Sequence, residues 1–278
     1  MLKMLFSFLP LLFILSCSDP AQSDKPAESV PRLEPVSTLS PAPQPEVPAF
    51  PIYQTAPFDL AYIMGKFDPA THPDFTQVDL KHADREGLFL RKDTYESFQK
   101  MWAAARADGI QLTIKSATRN FDYQKGIWER KWRGETKIEN GKDASKAWPD
   151  PKDRALAILR FSSMPGTSRH HWGTDIDLND FENSYFESGT GLKEYEWLVA
   201  HGPDYGFCQV YTKKDDRRPE GYEMEKWHWS YLPVARPLTN YAKNNLKDSL
   251  ITGFAGAEAA PMIGVVEKYV LGINPDCQ

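Results

Sequence analysis

Two short stretches constrain this chain more than anything else in it: Ser168-Arg169-His170-His171-Trp172-Gly173-Thr174-Asp175-Ile176-Asp177 and, further along, Glu225-Lys226-Trp227-His228. Each places residues that bind metals or move protons beside an alternating run that reads as a strand. With a period of two, residues 174–178 put Asp175 and Asp177 on one face and Ile176 and Leu178 on the other. Residues 227–231 likewise send His228 and Ser230 one way and Trp227, Trp229 and Tyr231 into packing. A regular strand would turn residues 225 and 228 to opposite faces, so Glu225 must approach from the loop ahead of it. The segment around His170 and His171 reads as extended, in which the two imidazoles point apart and only one faces a metal.

A single histidine is ordinarily satisfied in a half-buried position by hydrogen bonds. The combination is different. Two imidazoles and a carboxylate suit zinc, whose catalytic sites use three protein ligands and leave a position for water. Such a metal lowers the pKa of its water to about 7 and polarises a carbonyl, and a spare carboxylate then serves as base. The pattern is that of a hydrolase.

The Ser-x-His-x-x-Gly-x-x-x-Asp and Glu-x-Trp-His stretches, in this order, resemble those of the zinc D-alanyl-D-alanine peptidases of the VanY and VanX type, which cleave peptidoglycan stem peptides or their precursors. The resemblance spans residues 85–232. It implies the α+β fold shared with the Hedgehog signalling domain, a small antiparallel sheet flanked by helices. It further implies one zinc ion held by His170, Asp177 and His228, with Glu225 as general base and acid. Arg119, in Ser116-Ala117-Thr118-Arg119, corresponds to a family arginine that faces the scissile carbonyl or a substrate carboxylate. Gln124 and Ser168 fall where relatives approach the substrate.

Two departures stand out. Asp175 occupies a position where VanY-type sequences usually have Ala; it either orients a ligand histidine or meets a substrate ammonium group, and it is counted here among the substrate contacts. Residues 130–160 form a longer, charged segment than relatives carry, read as a solvated helical excursion that also has the option of walling the cleft.

The chain begins Met1-Leu2-Lys3, runs through an apolar stretch to Ser16 and reaches Cys17. A basic start and an apolar run too short to span a bilayer describe an export signal. With Cys at that point it resembles a bacterial lipoprotein signal, which makes Cys17 the lipidated residue. Residues 18–57 hold ten prolines among Ala, Ser, Gln and Glu, a composition that cannot bury enough apolar surface to offset ordering entropy and so reads as a tether. The expected organisation is a signal over residues 1–16, a lipidated tether over 17–57 and a peptidase domain over 58–278.

The formal charge of −5 and the lack of a basic run argue against a nucleic-acid partner. Past Cys17 only Cys208 and Cys277 remain. In an exported chain they permit one disulfide, with two free thiols as the alternative.

Within the domain, Asp93-Thr94-Tyr95-Glu96 resembles a helix cap, and Tyr95, Phe98, Trp102 and Ala105 follow at helical spacing until Gly109. Ile110, Leu112 and Ile114 alternate as a strand that delivers Arg119. Helices are expected over residues 121–132, 153–161 and 192–201, and residues 213–219 read as an exposed loop of mixed charge.

These features together predict a monomeric, lipid-anchored zinc D-alanyl-D-alanine carboxypeptidase in the bacterial envelope, on the periplasmic side or outer surface of a membrane. The alternatives are an L,D-carboxypeptidase or stem-peptide endopeptidase of the same fold and, from a different class, a non-catalytic peptidoglycan-binding lipoprotein. Glu225 argues against the last, since a binder needs no base beside an open metal position.

Overall fold

The computed structural model describes Phe50 and residues 57–278. The signal-like start, Cys17 and most of the proline-rich stretch lie outside the described residues. Strands β3 (Ile114–Ser116), β4 (Asp175–Leu178), β6 (His228–Tyr231) and β5 (Phe207–Gln209) pair in that spatial order, antiparallel throughout. The register sets Asp177 opposite both His228 and Ser116, and Asp175 opposite Ser230. Directly opposed residues share a sheet face. The polar positions of β4 and β6 therefore face one side together, while Ile176, Leu178, Trp229 and Tyr231 are buried on the other.

A separate hairpin joins β1 (Phe75–Gln77) to β2 (Phe89–Arg91). Around the sheets lie α1 (Leu60–Ile63), α2 (Lys92–Ala107), α3 (Phe121–Trp132), α4 (Ala144–Ala147), α5 (Pro151–Leu159), α6 (Gly189–His201), α7 (Leu232–Asn245) and α8 (Ala259–Ile263). This is the α+β architecture expected from the sequence. Among the described residues no helix is long and apolar enough to cross a membrane.

Helix α3 has the predicted bounds because Asn120 caps it: the Asn120 side chain accepts from the Tyr123 N–H. Helix α2 differs. It starts at Lys92 with no side-chain cap, and Asp93 instead grips the buried Arg91 guanidinium at 3.1 and 2.8 Å. Strand β3 is shorter than its alternating apolar residues suggest, because its pairing with β4 begins only at Ile114 and is interrupted by an irregularity in register before Ser116. The loop of mixed charge also holds a surprise: Arg218 is buried, donating to the carbonyls of Glu220 and Tyr222. Backbone acceptors, which sequence patterns do not reveal, satisfy that cation.

Both ends of the described chain are tied back to the sheet. Tyr62 donates to the Trp172 carbonyl and Trp172 donates to the Ile63 carbonyl, so α1 is clamped to the histidine segment. At the other end Cys208 on β5 and Cys277 form a disulfide, with Cα atoms 5.8 Å apart.

Candidate metal centre and catalytic cleft

The polar face of β4 and β6 floors a cleft of about 890 Å³. His170, Asp177 and His228 each present a ligand atom there, all within 4.8 Å of one another. His170 is not on an extended segment. It lies in a 3₁₀ turn, Arg169–Trp172, closed by Gly173 at a positive φ of 75°, a conformation glycine adopts without steric cost. A Cβ on Gly173 would meet the Phe75 ring at 2.4 Å. The turn still separates the two imidazoles. His170 faces the cleft, whereas both nitrogens of His171 are taken: Nδ1 donates to the Arg119 carbonyl and Nε2 accepts from the Gly166 N–H. Burial pushes the His171 imidazole down to about 3, so it stays neutral and acts as a clamp between loops.

The ring orientations of the candidate ligands are fixed from behind. His170 Nδ1 donates to the Ala117 carbonyl at 2.8 Å, which leaves the Nε2 lone pair toward the cluster. His228 Nε2 donates to Asp175 Oδ1 at 2.9 Å, which turns Nδ1 inward, 3.4 Å from Asp177 Oδ1 and 3.1 Å from Glu225 Oε2. His170 Nε2 lies 3.2 Å from Asp177 Oδ2. Yet neither His170 Nε2 nor Asp177 Oδ1 completes a hydrogen bond, although both atoms are buried. Buried polar atoms are rarely left so. Two nitrogen lone pairs and a carboxylate converging on one point fit a zinc ion, with second partners of the kind that orient metal-bound histidines.

Asp175 does not reach the cleft. It is fully buried behind His228, bonded to Arg169 Nε at 3.1 Å, Ser230 Oγ at 2.9 Å and Thr174 Oγ1 at 2.6 Å. The expectation that it touches substrate is therefore corrected: of the two roles open to it, the geometry leaves the orienting one. Gln124 does line the cleft, and its buried amide holds Arg119 in place: Oε1 accepts from Arg119 Nε at 3.0 Å and Nε2 donates to the Ser163 carbonyl.

Arg119 itself lines the cleft, bonded to Ser116 Oγ and 3.3 Å from Asp177. Ser168 also lines it, with a buried Oγ that makes no hydrogen bond. Glu225 approaches from the loop before β6, as the strand period requires, and its backbone N–H is held by the Tyr211 carbonyl. Burial raises its carboxyl above the ordinary value; His228 pulls the other way and Asp177 adds to the rise.

The model of the VanY family, described as D-alanyl-D-alanine carboxypeptidase, matches residues 87–234, more than half of the chain. The chain belongs to the VanY family. That span runs from the end of the β1–β2 turn into α7 and contains every candidate residue of the cleft named above. A D-alanyl-D-alanine carboxypeptidase of Enterococcus faecalis (strain ATCC 700802 / V583) is 29% identical over 150 residues, 54% of this chain and 50% of the relative. YodJ of Bacillus subtilis (strain 168) is 24% identical over 173 residues, 60% and 55% of the two chains. This VanY-family chain thus spans about half the length of these curated relatives. Among solved structures, a vancomycin-resistance D,D-pentapeptidase VanY with Zn(II) gives a TM-score of 0.45 at 22% identity, covering 69% of this chain and 92% of that one. The LdcB LD-carboxypeptidase gives 0.47 at 20% identity, covering 74% and 81%.

The charged excursion takes the walling role that the sequence left open to it, and aromatic residues outside it join the lining unforeseen. Residues 137–141 of the charged excursion form part of the wall, and so does Lys131 at the end of α3. Phe161 and Phe181, both well exposed, stand in the lining. The signal available in the sequence was the length of the excursion itself; an insertion next to a site tends to shape its rim.

Proposed function

We propose that this protein is a zinc-dependent carboxypeptidase that removes the terminal D-Ala from peptidoglycan stem peptides. The observation that carries this reading is the convergence of His170 Nε2, Asp177 and His228 Nδ1 with a spare buried carboxylate, Glu225, beside them and a cationic Arg119 3.3 Å from Asp177. Family membership and the activity in the name of the Enterococcus relative support it.

Zinc held by His170, Asp177 and His228 supplies a Lewis acid and a water that ionises near neutral pH. Glu225 takes the proton from the attacking water and gives it to the leaving amine. Its raised pKa suits that exchange, because a base works best when its pKa approaches the operating pH. Arg119, locked by Gln124, Ser116 and Asp177, faces the carbonyl oxygen as charge grows there. Ser168 offers a hydroxyl toward the bound peptide.

The test is mass analysis of defined tri-, tetra- and pentapeptide muropeptides after incubation with the purified, zinc-loaded protein. Loss of one alanine from the pentapeptide is expected. Cleavage of the tetrapeptide instead assigns the L,D bond, internal cleavage assigns an endopeptidase, and binding with no cleavage at all points to the non-catalytic lipoprotein.

The place of action proposed is the bacterial envelope, reached by export and held there as a monomer through a lipid on Cys17 and the proline-rich tether. Protein isolated from membranes is expected to start at an acylated Cys17, and Cys17→Ala to abolish acylation. An intact chain that keeps residues 1–16, or a Cys17 without lipid, overturns the anchor and leaves the catalytic reading standing.

A further inference from the structure

A second cavity, of about 430 Å³, adjoins the metal cleft, and every residue lining it belongs to the charged excursion over 130–160. Ile138, Glu139 and Asn140 line both cavities, so one short stretch of chain divides this groove from the cleft. Arg160 bridges the two sides. It lines the groove, pairs with Glu139, and lays its guanidinium 5.7 Å from the centroid of the Phe161 ring, which stands exposed in the cleft.

Trp148 gives the groove a half-buried indole. Its backbone is fixed: the N–H donates to the Ala144 carbonyl at 3.1 Å and the carbonyl accepts from Arg154 Nε at 2.9 Å. Half-buried Ile138 and Leu156 extend the apolar surface, while exposed Glu139, Asp153 and Arg160 surround it with planar charged groups. A pyranose ring has the matching character, with faces of C–H groups and an edge of hydroxyls that both donate and accept. Aromatic rings cover such faces, and carboxylates and guanidinium groups bind such edges. The Lys142 ammonium lies 5.2 Å from the Trp148 ring centroid. That side chain is exposed, and a cation–π contact at an exposed site is weak, so an incoming sugar displaces it.

Resting on the peptidoglycan reading above, we propose that this groove binds the glycan to which the stem peptide is attached, seating an N-acetylated sugar ring on Trp148 while the peptide crosses the shared wall into the metal cleft. In peptidoglycan the two are joined covalently, so a stem peptide engaged in the cleft carries a sugar toward its rim. The groove continues the cleft through Ile138, Glu139 and Asn140, which places a saccharide surface where that sugar arrives. The charged excursion thereby favours stem peptides on glycan over free ones.

The test has two arms, both with the zinc-loaded full chain. In the first, calorimetry follows binding of a soluble tetramer of N-acetylglucosamine. Saturable binding is expected, weakened about 10-fold by Trp148→Ala and largely kept by Trp148→Phe. Asp153→Ala, a change at an exposed side chain, is expected to weaken it by a similar factor through loss of a charge-assisted hydrogen bond. In the second arm, steady-state rates are compared for a free pentapeptide and for the same pentapeptide on its disaccharide. Each alanine variant should raise KM about 10-fold for the disaccharide substrate, with kcat within a few-fold and the free peptide unchanged. A wild-type protein that neither binds the tetramer nor prefers the disaccharide substrate overturns the proposal. So does tetramer binding untouched by both alanine variants, or an equal loss on the two substrates in Asp153→Ala. Displacement of the tetramer by free pentapeptide from Glu225→Gln protein assigns the groove to peptide and overturns it as well. Failure of the wild type to hydrolyse either substrate counts against the carboxypeptidase reading alone, because tetramer binding and its loss in the variants are read without turnover.

Discussion

Glutamine in place of Glu225 is expected to leave zinc bound and to lower turnover by about 100- to 10,000-fold, the range typical of a lost general acid–base. The substitution is nearly isosteric, and Glu225 is not among the three groups that converge as ligands. What it removes is the ability to accept a proton. The pH profile gives a second readout. Because burial raises the Glu225 carboxyl, wild-type turnover should fall on the acid side as pH drops through that raised pKa and the base becomes protonated. The residual activity of the variant should lack this limb. Zinc content and steady-state rates on the pentapeptide check both points. Near-normal turnover would falsify the assignment of Glu225, and Asp175 is no substitute base because it is fully buried behind His228.

The sequence disclosed the site more fully than the walls around it, for reasons that lie in the physics of each element. Period-two alternation in β4 and β6 is a local property, so the shared face of Asp175, Asp177, His228 and Ser230 followed directly, and the antiparallel register then placed Asp177 against His228. The approach of Glu225 from a loop followed from the same parity. Local parity fails in the turn at Arg169–Trp172, where the glycine at positive φ sets the backbone and an extended reading is wrong. It also says nothing of long-range partners. That Asp175 turns away from substrate depends on Arg169, Ser230 and Thr174, and the engagement of Gln124 depends on Arg119 and Ser163; neither contact has a sequence period to reveal it. The wall contributed by residues 137–141 depends on how a long excursion folds back, which composition alone does not specify.

Removing Asp175 is expected to have the largest effect on the fold and a distinct effect on the metal. Its carboxylate joins His228 Nε2 to Arg169, whose guanidinium also reaches Thr239 on α7 and Ser230 on β6 and lies over the Trp172 ring. Asp175→Ala strands that buried cation, and breaking one partner of a buried pair costs about 3–5 kcal/mol. Burial pushes the Asp175 carboxyl up, but Arg169 and His228 outweigh it and hold the group well below the usual carboxylate range. Its contribution is therefore fully present above that range and is lost only as pH falls through the lowered pKa, in strong acid.

His228 carries the opposite sign. Burial lowers it, yet Asp175 and Glu225 raise it to about 9, so in zinc-free protein its protonated form stabilises fully below about 6.5 and the gain is lost as pH rises through about 9. Asp175→Ala weakens that gain as well. The same change frees the His228 ring to rotate, and loss of such an outer partner typically costs 10- to 100-fold in metal affinity. Stability and metal binding separate in a double variant. Replacing Arg169 by Met together with Asp175→Ala removes the stranded charge, and apolar replacement of a buried pair is often near neutral for stability. The double variant should therefore recover much of the unfolding free energy in zinc-free denaturant titrations while its zinc affinity, read by chelator competition, stays weak. Zinc affinity that returns along with stability would show that Asp175 only braces the fold and does not orient His228.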